Sequence, residues 1–115
     1  MAMVAMAIPV MRGKEQAWLD YTGRLQSSEF REEYAASRRA VGMTREIVWS
    51  QRGPDGGLVA IVVVEADDLN AVFGNLASAE DPTTAGFREF IKDVHGVDMV
   101  ADPLPEVTLH SDTRF

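Results

Sequence analysis

The stretch Leu58–Ala66, LVAIVVVEA, decides the fold of this chain. Every residue in it except Glu65 is apolar, and a short apolar run rich in β-branched residues is typical of a strand buried on both faces. Successive side chains of a strand point to opposite faces. Both sets are apolar here, so we expect the centre of the sheet to be dry on both sides; they are Val59, Ile61 and Val63, and Ala60, Val62 and Val64.

The residues before this strand predict its hairpin partner. Thr44–Gln51 is rich in β-branched and aromatic residues, as strands are. Between the two runs, residues 52–57 read RGPDGG, which is the composition of a turn. A connection this short cannot hold a crossover, so we expect the two strands to pair antiparallel.

Two helical segments flank the hairpin, and each contains a break. Before the hairpin, an apolar strand over residues 3–10 leads into a helix from Lys14, with a break at Ser27–Ser28. The second part of that segment ends at Arg38 and Arg39 followed by Gly42. Arginines suit the negative end of a helix dipole, and glycine readily takes the left-handed conformation that ends a helix.

After the hairpin the signals repeat. Asp68 and Asp81 are cap residues that predict two helix starts, and proline follows the second of them. Gly96 predicts the end of that helix. The alternating run Glu106–His110 then predicts a last strand.

The order strand, helix, strand, strand, helix, strand predicts an α+β fold of the ferredoxin-like βαββαβ type. In that arrangement a four-stranded antiparallel sheet carries helices on one face only. The chain has 115 residues, which suits a single domain over residues 1–115. No segment remains to cover the open apolar face of the sheet, so we expect a second copy to cover it in a face-to-face homodimer.

Composition excludes several classes of function. The formal net charge is −7, which argues against a nucleic-acid-binding protein, since phosphate contacts need a basic surface. The chain has no cysteine and two histidines, so no metal site is predicted. No apolar run approaches the ~20 residues of a membrane span. The apolar start lacks a basic segment typical of a signal peptide, and we expect a cytoplasmic protein that does not bind membranes.

The layout resembles that of the dimeric α+β barrel superfamily. It is most similar to the small antibiotic-biosynthesis monooxygenase-like domains, and among them to members without an assigned activity. The features that carry the resemblance are PVMRGK at residues 9–14, Trp18, RRAVG at residues 38–42, Glu46, Trp49, Asp81–Pro82 and HGVD at residues 95–98. The resemblance covers roughly residues 3–109.

The leading hypothesis is a homodimer with an apolar pocket in each subunit that binds a small aromatic or polycyclic metabolite. The resemblance further implies that the protein transforms this ligand without a metal or organic cofactor. The alternative is a non-catalytic module whose dimer carries a ligand or binds a partner protein. A third interpretation, haem handling, requires His95 or His110 to face a wide cavity. Fold alone does not decide among these alternatives.

His95 is the candidate catalytic residue, because histidine changes charge near neutral pH and can accept a proton from a phenolic or enolic ligand. The alternative is that the end of the helix simply favours its cationic form. The candidate ligand-binding residues are Trp49, Arg38, Arg39, Glu46 and Tyr34.

Strand alternation separates two of these candidates, since it places Glu46 and Trp49 on opposite faces of the second strand. Trp49 is either a core residue or a wall for a flat ligand. A buried Glu46 needs a partner, because an unpaired buried carboxylate is very costly. We expect Arg38 or Arg39 to be that partner and to lie near the mouth of the pocket.

Overall fold

The computed structural model describes residues 2–103 and 105–115, and in these residues it has three strands and four helices. In chain order they are β1 (Ala2–Pro9), α1 (Glu15–Arg24), α2 (Arg31–Val41), β2 (Met43–Arg52), β3 (Leu58–Ala66), α3 (Leu69–Ser78) and α4 (Pro82–His95).

The strand β3 lies at the centre of the sheet, as its sequence predicts. It pairs antiparallel with β1 on one side and β2 on the other, in the order β1-β3-β2. Ala60, for example, lies opposite Ile8 of β1 and Ser50 of β2. The predicted hairpin of β2 and β3 is therefore confirmed.

The predicted four-stranded sheet is wrong. Glu106–His110 forms no strand, and Val107 and Leu109 are 45% and 77% exposed. The α+β class is correct, but the described residues form a three-stranded sheet and not the four-stranded ferredoxin-like βαββαβ sheet on which the predicted dimeric barrel was built. Two apolar side chains offer too little buried surface to offset the conformational entropy lost when a segment becomes ordered. Alternation over so short a run is therefore weak evidence for a strand.

The predicted caps Asp68 and Asp81 and the predicted helix ends at Gly42 and Gly96 are confirmed, and each helical segment is two separate helices. The break falls between α1 and α2, but α2 begins at Arg31 and has no side-chain cap from Ser27 or Ser28. Gly42 ends α2 in the left-handed conformation, with φ 103°. The Asp68 side chain accepts a hydrogen bond from the Ala71 backbone N–H at the start of α3, and Asp81 does the same with Thr84 in α4. These caps satisfy N–H groups that a helix start leaves unpaired.

The helices pack against one face of the sheet and bury two hydrophobic clusters. The first lies where the start of β2 and the end of β3 pack against α2 and α3. The second lies under α1 and α4. The buried residues of the first are Val41, Met43, Val64, Ala66, Val72 and Leu76, and those of the second are Val10, Trp18, Leu58, Ala60 and Val94. On the opposite face, Met3 and Trp49 are 64% and 51% exposed.

Two glycines should respond to alanine in opposite ways. Gly42→Ala should lower the free energy of unfolding by about 1 kcal/mol or more, because its positive φ is unfavourable for a residue with a Cβ. Gly86→Ala in α4 should raise it by roughly 0.5–1 kcal/mol, since an added Cβ there meets nothing within 4 Å. Urea denaturation measures both changes in the free energy of unfolding, and the slope of that free energy against urea concentration should be the same for each variant. Equal effects at the two positions would contradict the left-handed end of α2.

Candidate functional site

A cavity of about 120 Å³ lies between the sheet and the helices. It forms where the helix-facing side chains of the strands meet the apolar stripes of α1, α3 and α4. The apolar residues that line it from the sheet include Met6, Ile8, Ala60 and Val62, and those from the helices include Trp18, Phe73, Leu76, Phe87 and Phe90. Almost no polar atom faces the space. An apolar space of this kind offers water few hydrogen-bond partners.

Three polar residues around the cavity, Thr22, His95 and Glu46, have polar groups engaged by the protein. The Thr22 hydroxyl donates to the Trp18 carbonyl oxygen at 2.9 Å. The His95 Nδ1 atom lies 2.8 Å from the Pro9 carbonyl oxygen. The Glu46 carboxylate, the one acidic group in the lining, accepts a hydrogen bond from the Tyr34 hydroxyl.

A β-bulge brings Glu46 to the helix-facing side of the sheet. The register between β2 and β3 shifts between Met43 and Arg45. Without this shift, Met43 and Glu46, three residues apart, would face opposite sides of the strand. With it, both line the cavity.

Arg38, Tyr34 and Glu46 form one cluster, called here the Arg38 cluster. Tyr34 and Arg38 lie one turn apart on α2 and therefore share a face. The Tyr34 hydroxyl binds Glu46 Oε1, and Arg38 Nε lies 3.8 Å from Glu46 Oε2. Arg38 is only 5% exposed. The prediction that one arginine of the pair partners a carboxylate is confirmed, and Arg38 is that arginine.

Two aromatic rings enclose the Arg38 guanidinium. Its Cζ atom lies 4.3 Å from the centre of the Tyr34 ring and 4.1 Å from the centre of the Phe87 ring. Its Nη1 makes one long hydrogen bond, 3.5 Å, to the Ser37 hydroxyl. Nε and Nη2 are buried and have no hydrogen-bond partner. The rings replace part of the lost hydration through cation–π attraction, but they leave two donor atoms unsatisfied.

Tyr34 acts as a donor in this cluster. Burial raises the pKa of its hydroxyl strongly, and the negative charge of Glu46 raises it further, while Arg38 opposes both. The phenol therefore stays protonated across the physiological range and keeps its hydrogen bond to Glu46.

His95 borders the cavity at the last turn of α4. A carbonyl oxygen only accepts hydrogen bonds, so Nδ1 carries the proton and donates it to Pro9, and the lone pair lies on Nε2. Burial lowers the pKa of the imidazole. At neutral pH the ring is therefore neutral, and the cationic form favoured by a helix end does not dominate.

The remaining candidates lie elsewhere. Trp49 is on the face of the sheet opposite the cavity and does not line it. Arg39 is exposed and takes part in no ion pair within residues 2–103 and 105–115. The sequence analysis missed Phe87 as a partner of Arg38. The spacing of apolar residues in α4 shows that Phe87 is inward-facing, but nothing local indicates that it stacks on an arginine of α2.

The part of the chain that the structure describes offers no group of three or more metal-binding side chains, and none of its helices is long and apolar enough to cross a membrane. No protein-family model, curated protein or solved structure matches the chain. Membership of the superfamily that the sequence resembles, the cytoplasmic location and the absence of a cofactor therefore stay predictions.

Removing the Arg38 side chain should expose how strongly the cluster depends on its ion pair. Arg38→Met should lower the free energy of unfolding by up to about 3–5 kcal/mol, because it leaves the Glu46 carboxylate, whose side chain is 13% exposed, without a counter-charge. The double variant Arg38→Met/Glu46→Gln should recover most of this loss, since glutamine still accepts from Tyr34 and carries no charge.

Arg39→Met is the matched control, with the same change at the adjacent exposed position, and its effect should lie within roughly 0.5 kcal/mol. Chemical denaturation measures all three variants. If Arg38→Met and Arg39→Met proved equal, the buried pair would contribute nothing to the fold.

Proposed function

We propose that this protein binds a small apolar molecule, about the size of one aromatic ring, in the cavity between the sheet and the helices. The observation that carries the proposal is an apolar space of about 120 Å³ inside a domain this small. An engineered apolar cavity of about 150 Å³ in another protein binds benzene. Pockets for drug-sized ligands are larger, roughly 300–1,000 Å³. The size therefore favours a compact ligand and argues against a polycyclic ligand or haem.

The chemistry around the cavity favours binding over catalysis. Glu46 is engaged by Tyr34 and Arg38, and the Nδ1 atom of His95 is engaged by Pro9. One observation supports a catalytic role of the cofactor-free kind that the sequence resemblance implies. His95 presents a neutral imidazole at the edge of the cavity, and its Nε2 lone pair is suited to accept a proton.

Toluene should bind to the protein, and filling the cavity should abolish that binding. Ala60 is 1% exposed and lines the cavity. Ala60→Leu should therefore weaken toluene binding at least ~10-fold by occupying the space with side-chain atoms. Ala36→Leu makes the same change at an exposed position of α2 and should leave the affinity unchanged. Isothermal titration calorimetry measures both. Equal binding by the two variants, or none by the unsubstituted protein, would refute the proposal.

We also propose that two copies associate through the open face of the sheet. That face is apolar across all three strands. Its central residues are Ala5 and Ala7 of β1, Ile47 and Trp49 of β2, and Val59, Ile61 and Val63 of β3. A contiguous apolar patch on a sheet face marks an interaction surface. Arg45 and Glu65 lie side by side at one end of the patch, and neither has an ion-pair partner within residues 2–103 and 105–115. A second copy presents the same apolar face, and two-fold pairing of identical surfaces is the commonest form of association, which favours a second copy over an unrelated partner.

Trp49→Glu should convert this dimer into a monomer without unfolding the domain, because Trp49 is 51% exposed and lies outside both core clusters. Loss of a central tryptophan should raise the dissociation constant roughly 30-fold or more. Ser50→Glu adds the same charge at the neighbouring residue on the other side of the strand and should keep the dimer. Sedimentation equilibrium distinguishes the two. A monomer at micromolar concentration before any substitution would rule out this association.

A further inference from the structure

The cover over the cavity is incomplete on the side of β1. Ala60 and Val64 of the central strand are each 1% exposed. Met6 and Ile8 of β1 line the same cavity but are only half-buried. Pro105 lines the cavity and is itself exposed. A residue that borders both the cavity and the solvent lies at the opening between them, so the cavity opens beside β1, where the chain continues after α4.

Residues 97–103, which follow α4 and are called here the strap, form the wall of the cavity at this opening. Val97 and Met99 line the cavity, and Met99 also packs against the first hydrophobic cluster. Each helix that lines the cavity is held by at least one buried side chain, such as Trp18 of α1 or Val94 of α4. No residue of the strap is buried to that extent. The strap is therefore packed less firmly than the helices around it, and such segments open at low cost in free energy.

The hydrogen bonds of the strap lie within the strap itself. The Asp98 carboxylate accepts from the Val100 N–H at 2.9 Å and from the Ala101 N–H at 3.2 Å. The Asp98 N–H donates to Asp102 Oδ2, and the Asp102 N–H donates to the Asp98 carbonyl oxygen, both at 2.8 Å. Within the described residues, no hydrogen bond joins the strap to β1 or to a helix. The strap is thus a compact turn that only apolar contacts hold against the cavity.

Gly96 connects the strap to α4 and is the point about which the strap can move. Its backbone has the left-handed conformation with φ 69°, and its N–H still donates to the Lys92 carbonyl oxygen, so the helix is intact up to this residue. Hinges are typically a few residues at the end of an element that absorb the change in backbone angles. Displacing the strap here separates Val97 and Met99 from the cavity and leaves the described hydrogen bonds of the sheet unbroken.

We infer that the strap is a movable cover that controls the passage of the ligand between solvent and cavity; the inference rests on the proposed ligand-binding function. A ligand the size of one ring displaces whatever narrows the opening, and the strap is the part of the wall that neither a sheet ladder nor a buried side chain fixes. The hydrogen bonds to Asp98 keep the turn compact and therefore keep Val97 and Met99 against the cavity. They set the fraction of molecules in which the cover is open.

A movable cover and a fixed wall have different kinetic signatures. The cover limits passage in both directions, so loosening it raises the association and dissociation rate constants by the same factor. The dissociation constant then hardly changes, as long as the open form remains a minor population. A fixed wall acts through its contacts with the bound ligand, so damage to it raises the dissociation rate constant and weakens binding by the same factor.

The test measures both rate constants for toluene from NMR line shapes of the Ala60 methyl group. Asp98→Ala should raise both about 10-fold, as expected when one or two hydrogen bonds are lost, and should leave the dissociation constant within about 2-fold. Asp98→Asn keeps an acceptor oxygen and should keep both rate constants close to those of the unsubstituted protein. Asp55→Ala is the matched control, since it removes the same kind of bond, from the Gly57 N–H, in the β2–β3 turn away from the cavity. It should change neither rate constant.

Each other outcome overturns the inference. If toluene binds and Asp98→Ala leaves both rate constants unchanged, or raises only the dissociation rate constant, the strap is a fixed wall, and the proposed function stands without it. Equal acceleration in Asp55→Ala would show a general loosening of the domain and would also refute the cover. If the unsubstituted protein does not bind toluene, the proposed function and this inference fail together. Should Asp98→Ala not fold, Asp102→Ala removes the other side-chain bond of the turn and must raise both rate constants as well.

Discussion

The structure depends on β3, a strand that is apolar on both faces but is covered by helices on only one. Ala60, Val64 and Ala66 are at most 1% exposed on the covered face. On the other face, Val59, Ile61 and Val63 have no described element of the same chain above them. This asymmetry produces the two surfaces on which the proposed functions rest. The covered face encloses the cavity, and the open face is an apolar surface that favours association.

The Arg38 cluster is the second constraint, because it places a charge pair next to a core in which Arg38 is the one charged residue among the described residues that are fully buried. Replacing such a pair with apolar residues is often neutral or stabilising, so stability alone does not account for it. Glu46 lies at the wall of the cavity, and Arg38 lies behind it with unsatisfied donors. A polar cluster that is only partly satisfied is costly to the folded protein.

Much of the fold follows from local signals in the sequence. The central strand, the hairpin and the helix ends rest on apolar runs, turn composition and caps, and these act within a few residues. The last strand did not form, because alternation at Val107 and Leu109 says nothing about whether enough surface is buried to order the segment. The open face is apolar as predicted, but no partner strand extends the sheet within the described residues.

The site was predictable in part, and the reason differs from residue to residue. A buried carboxylate needs a counter-charge, and this was enough to link Glu46 to the arginine pair. It was not enough to choose between Arg38 and Arg39. That choice depends on which face of α2 packs inward. Alternation separated Glu46 from Trp49, but only the packing of the helices decides which of them borders the cavity. The stacking of Phe87 on Arg38 joins α4 to α2 and has no local signal at all.

The same alternation makes the two proposed surfaces independent of each other. Neighbouring residues of β2 and β3 point alternately to the cavity and to the open face, as Val62 and Val63 do. The side chains on the two faces are separated only by the backbone of one sheet, whose ladder hydrogen bonds do not depend on which side chain is present. A substitution on the open face should therefore affect the proposed association and leave the cavity intact, and a substitution in the cavity should leave the open face unchanged. Coupling between ligand binding and association would require the sheet itself to bend. This sheet departs from regular pairing at the β-bulge between Met43 and Arg45, which lies beside Glu46.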